Sequence, residues 1–271
     1  MTQMDLGFVE VDGGRLFSEV AGGGPAVVLL HPGLWDSRTW DEQFGAFSQR
    51  FRVLRYDVRG YGRSSRPEPD RPYSHVADLC AVMDAAGMER AALVGGSMGG
   101  AIALDVALTR PERVTALVLA APGLGGFQET PTEEAWYGDL GAEMEAAMGA
   151  GDLERVQDLR LRIWAPLGTQ DAAGRRIREI AFDNLHEITM DEGAAARLDP
   201  PAIERLHEIS APTLVLPADH DPPDMARICR TLAERIPGAR VVEIPDTDHV
   251  INVRRPAEFD AAVLGFLDEV L

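Results

Sequence analysis

The chain contains no lysine; all 26 positions that could be lysine or arginine are arginine. A lysine nucleophile is therefore excluded. Cysteine is scarce as well. Cys80 and Cys229 are the only two. They stand far apart in segments that both read as helices, so buried free thiols are expected rather than a disulfide. Neither sits in the local motif of a cysteine nucleophile. No uninterrupted apolar stretch reaches membrane-spanning length. The opening residues, MTQMDLGFVEV, lack a cationic segment followed by an apolar run, so no secretory leader is expected and a cytoplasmic enzyme is. Net charge is −18, which repels nucleic acid and anionic membranes and disfavours a polyanionic substrate. There is no internal repeat and no low-complexity segment.

What the chain does contain is an unusual crowding of glycine. VGGSMGG, Val94 to Gly100, places one hydroxyl among four glycines. Glycine weakens strands and helices alike, so the crowding needs a cause. The preceding AALV (91–94) reads as a short buried strand. The following AIALDVALT (101–109), with Pro111 beyond it, reads as a buried helix with a stop signal. Ser97 thus stands where a strand turns abruptly into a helix, and Gly95 and Gly99 keep that turn free of side chains. A turn of this kind lifts the hydroxyl out of the fold and aims the next N–H groups at whatever it attacks.

Strand-like runs recur at 7–11, 15–20, 26–31, 51–57, 91–94, 115–121, 213–219 and 239–246. The first two flank DGG and predict a hairpin. The later ones are continuously apolar, as strands covered on both faces are. Helical patterns at 75–87, 98–109, 224–236 and 256–270 alternate with them, which predicts a mostly parallel sheet wrapped by helices. Residues 125–210 break the alternation. They carry no strand signal and three helical patterns at 132–148, 152–164 and 174–188, the second opened by Asp152 as N-cap.

A serine hydroxyl needs a base. Of six histidines, His186 and His207 lie in the helical insertion, His75 opens a helix, and His31 is expected to hydrogen-bond within its own loop. His249 follows a strand and precedes the last helix, a loop position where ligands meet open α/β sheets. His220 lies in ADHDPPD (218–224), where Asp219 and Asp221 are both candidates to orient the base. The chain order serine, acid, histidine follows. For the developing oxyanion, the N–H of Met98 is one donor. The second is expected from HPGLWDS (31–37). Pro32 has no N–H, which leaves Gly33, with Leu34 behind it. Asp219, His220, Asp221, Asp246, Asp248 and His249 form an acid–histidine cluster, but no metal-ligand spacing is matched, and no metal is expected.

With these residues in place the chain resembles the α/β-hydrolase family. LLHPGLWDSRTW is similar to its oxyanion loop, YDVRGYGRS (56–64) to its D-x-R-G-x-G-x-S turn, VGGSMGG to its nucleophile elbow, and LVLPADHDPPD and DTDHVINVRRPAEF to its acid and histidine loops. The resemblance is strong over 25–122 and 212–271. It implies an α/β core with a mostly parallel eight-stranded sheet over 1–124 and 211–271, and a helical cap over 125–210. In the family's acid loop the carboxylate ends a G-x-x-D pattern. Ala218 to Asp221 matches it with alanine for glycine, which selects Asp221. His31-Pro32 departs from the family's usual H-G. Asp57 and Arg59 belong to a structural turn and receive no catalytic role. Serine at the elbow argues against the dehalogenases and epoxide hydrolases, which the family builds on aspartate.

Small bacterial carboxylesterases and enol-lactone hydrolases such as 3-oxoadipate enol-lactonase look most similar. The resemblance implies a cofactor-free triad, Ser97, Asp221 and His249, acting on a small-molecule ester or lactone. Leu34, Trp35, Trp136, Met144 and Trp164 are candidates to line the substrate pocket. Carbon–carbon bond hydrolysis and peracid formation keep the same triad and are alternatives. A small-ligand sensor with vestigial hydrolysis is an alternative of another class. Nothing in the pattern specifies an oligomeric state.

Overall fold

A computed structural model describes residues 5–190 and 195–271 of the chain. Eight strands form one sheet: β1 Asp5–Val11, β2 Gly14–Gly22, β3 Ala26–Leu30, β4 Arg52–Tyr56, β5 Ala91–Gly96, β6 Val114–Ala120, β7 Thr213–Leu216 and β8 Arg240–Val241. Their order is β1-β2-β4-β3-β5-β6-β7-β8. β1 and β2 pair as a hairpin closed by Asp12 and Gly13, β2 meets β4 antiparallel, and every later pairing is parallel. Helices fill the connections: α1 Asp41–Phe47, α2 His75–Ala85, α3 Met98–Thr109, α4 Pro131–Gly149, α5 Leu153–Trp164, α6 Ala172–Asp183, α7 Ala202–Arg205, α8 Pro223–Arg235, α9 Ile251–Arg254 and α10 Pro256–Val270.

The central strands are apolar because both faces are covered. β5 is buried at all six of its positions and β7 at all four. α10 lays Phe259, Val263 and Phe266 against the core, as the spacing of these residues requires. β8 is much shorter than the run expected over 239–246. It is an edge strand with β7 as its one neighbour, and its two residues are exposed. Pairing resumes only at a single bridge between Ala218 and Ile244.

Between β6 and β7 the chain forms α4, α5, α6 and the short α7. Asp152 caps α5 by accepting from the Arg155 N–H, and Thr130 and Glu133 form a reciprocal capping box on α4. Residues 191–194 of this stretch lie outside the described residues. α5 and α6 bury Leu161, Ile177, Ile180 and Ala181 against Leu34, Trp35 and Val250 in a second apolar cluster. The insertion therefore packs on two loops at the carboxyl ends of the core strands.

The glycine crowding has a steric origin. A Cβ at Gly99 would lie 2.2 Å from the Leu30 carbonyl oxygen, and one at Gly95 would lie 2.4 Å from the Gly99 carbonyl oxygen. Both obstacles are backbone and cannot swing aside. At Gly96 the nearest atom to an added Cβ is Pro32 Cδ at 3.6 Å, an ordinary contact. Gly99→Ala is thus expected to lose about 3 kcal/mol or more of stability, and Gly96→Ala less than about 1 kcal/mol. Urea unfolding of the purified variants measures both. Equal losses would contradict the assigned contacts.

Candidate active site

Ser97 has φ 47° and ψ −113°, a strained conformation for a residue with a side chain, costing on the order of 1–3 kcal/mol. The surroundings hold it there. Its N–H donates to the Ala120 carbonyl at 3.0 Å, and its carbonyl accepts from Ala101 at 3.0 Å and Gly123 at 2.9 Å. The backbone is thereby clamped between β6, α3 and the loop after β6. Ser97 is half-buried, and its hydroxyl makes no hydrogen bond among the described residues. In unliganded enzymes a nucleophile–base contact is often loose and tightens with substrate.

His249 and Asp221 meet in a buried pair. Asp221 Oδ1 lies 3.0 Å and Oδ2 3.1 Å from His249 Nδ1, and the side chains are 3% and 1% exposed. Asp219 does something else. Its half-exposed carboxylate accepts N–H bonds from Asp246 at 2.9 Å and Thr247 at 2.8 Å, tying the acid loop to the histidine loop. Burial works against the charged form of Asp219, but the Thr247 and Asp246 N–H groups hold it below the usual carboxylate range. Asp219, His220 and Asp246 bring potential ligand atoms within 4.8 Å of one another, all at exposed positions.

The loop after β3 begins with His31, fully buried. Its Nδ1 donates to the Pro32 carbonyl at 2.8 Å, and its Nε2 accepts from the Val58 N–H at 2.9 Å. One bond stays within the loop and the other reaches across to the end of β4. Burial pushes its pKa down, consistent with a neutral ring that both donates and accepts. Leu34 adopts φ 70°. Among the described residues the N–H groups of Gly33, Leu34 and Met98 have no acceptor. That is ordinary for Met98 at a helix N-terminus. In the loop after β3 the N–H groups of Gly33 and Leu34 are likewise open donors. Asp57 accepts from Ser37 and Arg63, and Arg59 pairs with Asp78 through two bonds of 2.7 Å; both serve the turn.

The expected pocket residues separate. Trp35 is fully buried and donates from Nε1 to the Ile177 carbonyl at 2.9 Å, and Leu34 packs with it in the second apolar cluster. They join the loop to α6. Trp136 is 45% exposed and packs edge-on against Tyr137. Met144 lines an open groove between α4 and α5, remote from the elbow in its lining residues. Trp164 lies against His249, ring centroids 4.3 Å apart. The cavity that borders the elbow is lined by Met98 and others along α3, and none of these five residues is among them.

Three supporting residues, Arg254, Asn184 and Asp36, are not singled out by the sequence. Arg254 is 4% exposed and grips the buried Asp248 through Nε and Nη2, and it donates to the Gly168 carbonyl at 2.8 Å. The residue before His249 is thereby linked to the insertion. Asn184 is buried and donates to Asp36 Oδ2 at 2.8 Å while accepting from the Gly62 N–H at 2.7 Å. It falls inside a run that reads as one helix over 174–188, whereas α6 ends at Asp183; an asparagine before a non-continuing turn is the one hint available. Asp36 in turn holds Arg38.

Comparison with known proteins gives the family and the fold. Residues 25–256 match the model of the alpha/beta hydrolase fold family. The chain belongs to that family. It is 34% identical to "Putative carbamate hydrolase RutD" of Caulobacter sp. (strain K31), over 95% of this chain and 96% of the relative. It is 31% identical to rhodomycin D methylesterase DauP of Streptomyces sp. (strain C5), over 88% of this chain and 89% of the relative. The solved enol-lactonase of Burkholderia xenovorans LB400 superposes with a TM-score of 0.75 at 26% identity, covering 97% of this chain and all of that one. Among the described residues no helix is long and apolar enough to cross a membrane.

Burial disfavours the charged form of Asp36, but hydrogen bonds from Arg38 and Asn184 outweigh it and hold the carboxyl at about 2. A depressed carboxylate stabilises the fold above its unfolded value near 4 and loses that contribution as pH falls toward 2. The stability gap between wild type and Asp36→Asn should be largest near neutrality, with a pH-dependent part of about 2 kcal/mol at most, and shrink on acidification. Thermal melts of both proteins between about pH 7 and 3 read this. A gap independent of pH would contradict it.

Proposed function

We propose that this chain is a serine hydrolase that cleaves a small carboxylic ester or lactone through an acyl-enzyme on Ser97. The observation that carries the reading is the buried contact between His249 Nδ1 and Asp221. It assigns the donor role to Nδ1 and leaves Nε2 to accept a proton. Among the described residues Nε2 has no other partner. The strained serine turn and the unpaired N–H groups of Gly33 and Met98 support the same chemistry.

In this mechanism the Ser97 hydroxyl gives its proton to His249 Nε2 as its oxygen attacks the substrate carbonyl. Asp221 holds the ring and stabilises the imidazolium. The N–H groups of Met98 and Gly33 bond the oxyanion of the tetrahedral intermediate. The imidazolium then protonates the leaving alkoxide, and water repeats the sequence to release the acid. The residues named need no metal and no cofactor for these steps. A methylesterase and an enol-lactonase among the similar proteins support the ester and lactone classes. The carbamate hydrolase name of another makes carbamates a third class to include in a substrate screen.

A hydrolysis screen over esters and lactones of graded acyl length, with Ser97→Ala as the blank, tests the class. Within it, Asp221→Asn is expected to lower kcat by about 10⁴-fold, because the orienting acid controls the tautomer of the base. Asp219→Asn, whose carboxylate ties two loops, should cost less than about tenfold. The reverse ranking would move the acid to Asp219. Chelators should leave turnover unchanged; loss in chelator with recovery on added metal would overturn the serine mechanism.

A further inference from the structure

The cavity bordering the elbow has a volume of about 550 Å³. One face of α3 forms its floor. Met98, Ala101, Ile102 and Asp105 stand at successive helical turns, so the cavity runs about 10 Å from the elbow along the helix. His75 and Leu198 contribute walls, and its lining is mainly apolar. Arg197 and Asp199 are exposed at the rim as opposite charges.

Asp105, at the far end, has no part in the chemistry above. Its carboxylate makes no hydrogen bond or ion pair among the described residues. Burial pushes it up to about 6, with Arg205 pulling weakly the other way. Arg205 is itself engaged by Glu208 at 2.7 Å and the Leu108 carbonyl at 3.1 Å. A partly buried carboxyl without a partner costs free energy that a complementary group would recover. An apolar cavity with one such group is a ligand site in form. A protonated amine complements it best, since a charge-assisted bond is about twice as strong as a neutral one. The net charge of −18 also attracts cations to the protein.

We propose that this cavity binds an apolar arm ending in a protonated amine, with the ammonium on Asp105 and the body lying over Ala101 and Ile102 toward Met98. As an amine site it stands on the cavity alone. As a substrate subsite it rests on the serine-hydrolase reading, and it then makes the preferred substrate an ester or lactone with a basic nitrogen about 10 Å from the scissile carbonyl.

Titration calorimetry of the full chain with hexylamine and with 1-hexanol, at about pH 8 where the amine is charged and the carboxyl ionised, tests the site. Hexylamine should bind roughly tenfold or more tightly than hexanol. Asp105→Asn should bring that ratio close to one, and Asp105→Leu provides the same test should the asparagine variant fail to fold. Equal binding of amine and alcohol to wild type, or an amine preference that survives loss of the carboxylate, would overturn the proposal. Kinetics separate the two readings. The 4-nitrophenyl ester of 8-aminooctanoate should show a lower KM than that of octanoate. Turnover of both esters with equal KM would overturn the subsite. Asp105-dependent amine binding without hydrolysis of any ester would uphold the amine site and refute the hydrolase.

Discussion

The close approach of Gly99 to the Leu30 carbonyl governs the architecture of the site. It seats the first turn of α3 against the end of β3, which a side chain at Gly99 would prevent. Between β5 and this closely seated helix the chain turns through Ser97, which takes a positive φ. Leu30 is also the last residue of β3, so the chain leaving this contact becomes the His31–Gly33 loop. The N–H groups of Met98 and Gly33 thus flank one backbone junction. A buried His31 stitches the loop to the end of β4, a rigidity that suits the oxyanion role proposed for these two N–H groups.

The insertion does more than cover the sheet. Trp35 and Asp36 of the loop after β3 are bonded to Ile177 and Asn184, and Arg254 carries the histidine loop to Gly168. Trp164, the last residue of α5, lies against the His249 ring. Both loops of the site are thereby tied to α5, α6 and the segment between them. The Asp248–Arg254 pair is buried on both sides. A pair like this contributes little net stability and strongly penalises loss of either partner, so it fixes a geometry more than it strengthens the fold.

Much of this was legible in the sequence because its signals are local. The elbow is spelled by glycines flanking one serine, the central strands by unbroken apolar runs, and the chain order by loops that follow those strands. Asp221 was separable from Asp219 only by resemblance to a family pattern; in the structure the two carboxylates have different partners. What the sequence hid depends on contacts between distant segments. β8 has the composition of a strand but an edge position with one neighbour. Four tryptophans share one residue type yet occupy unlike places: Trp35 and Trp40 in the core, Trp136 at the surface and Trp164 on the histidine ring. Asn184 and Arg254 are unremarkable letters whose partners lie 148 and 86 residues away. Asp105 reads as one polar residue in an apolar helix until the cavity beside it is seen.

The central claim is that Ser97 is an activated nucleophile in the folded protein, and covalent labelling tests it most directly. Trypsin cleaves after Arg90 and Arg113, since Pro111 protects the Arg110 bond, and leaves Ser97 and Thr109 as the only hydroxyl side chains in the peptide Ala91–Arg113. After brief treatment with a fluorophosphonate, mass spectrometry should place one adduct on Ser97, absent from protein unfolded before treatment and absent from His249→Ala. An unlabelled Ser97, or labelling that persists in unfolded protein or without His249, would contradict the account.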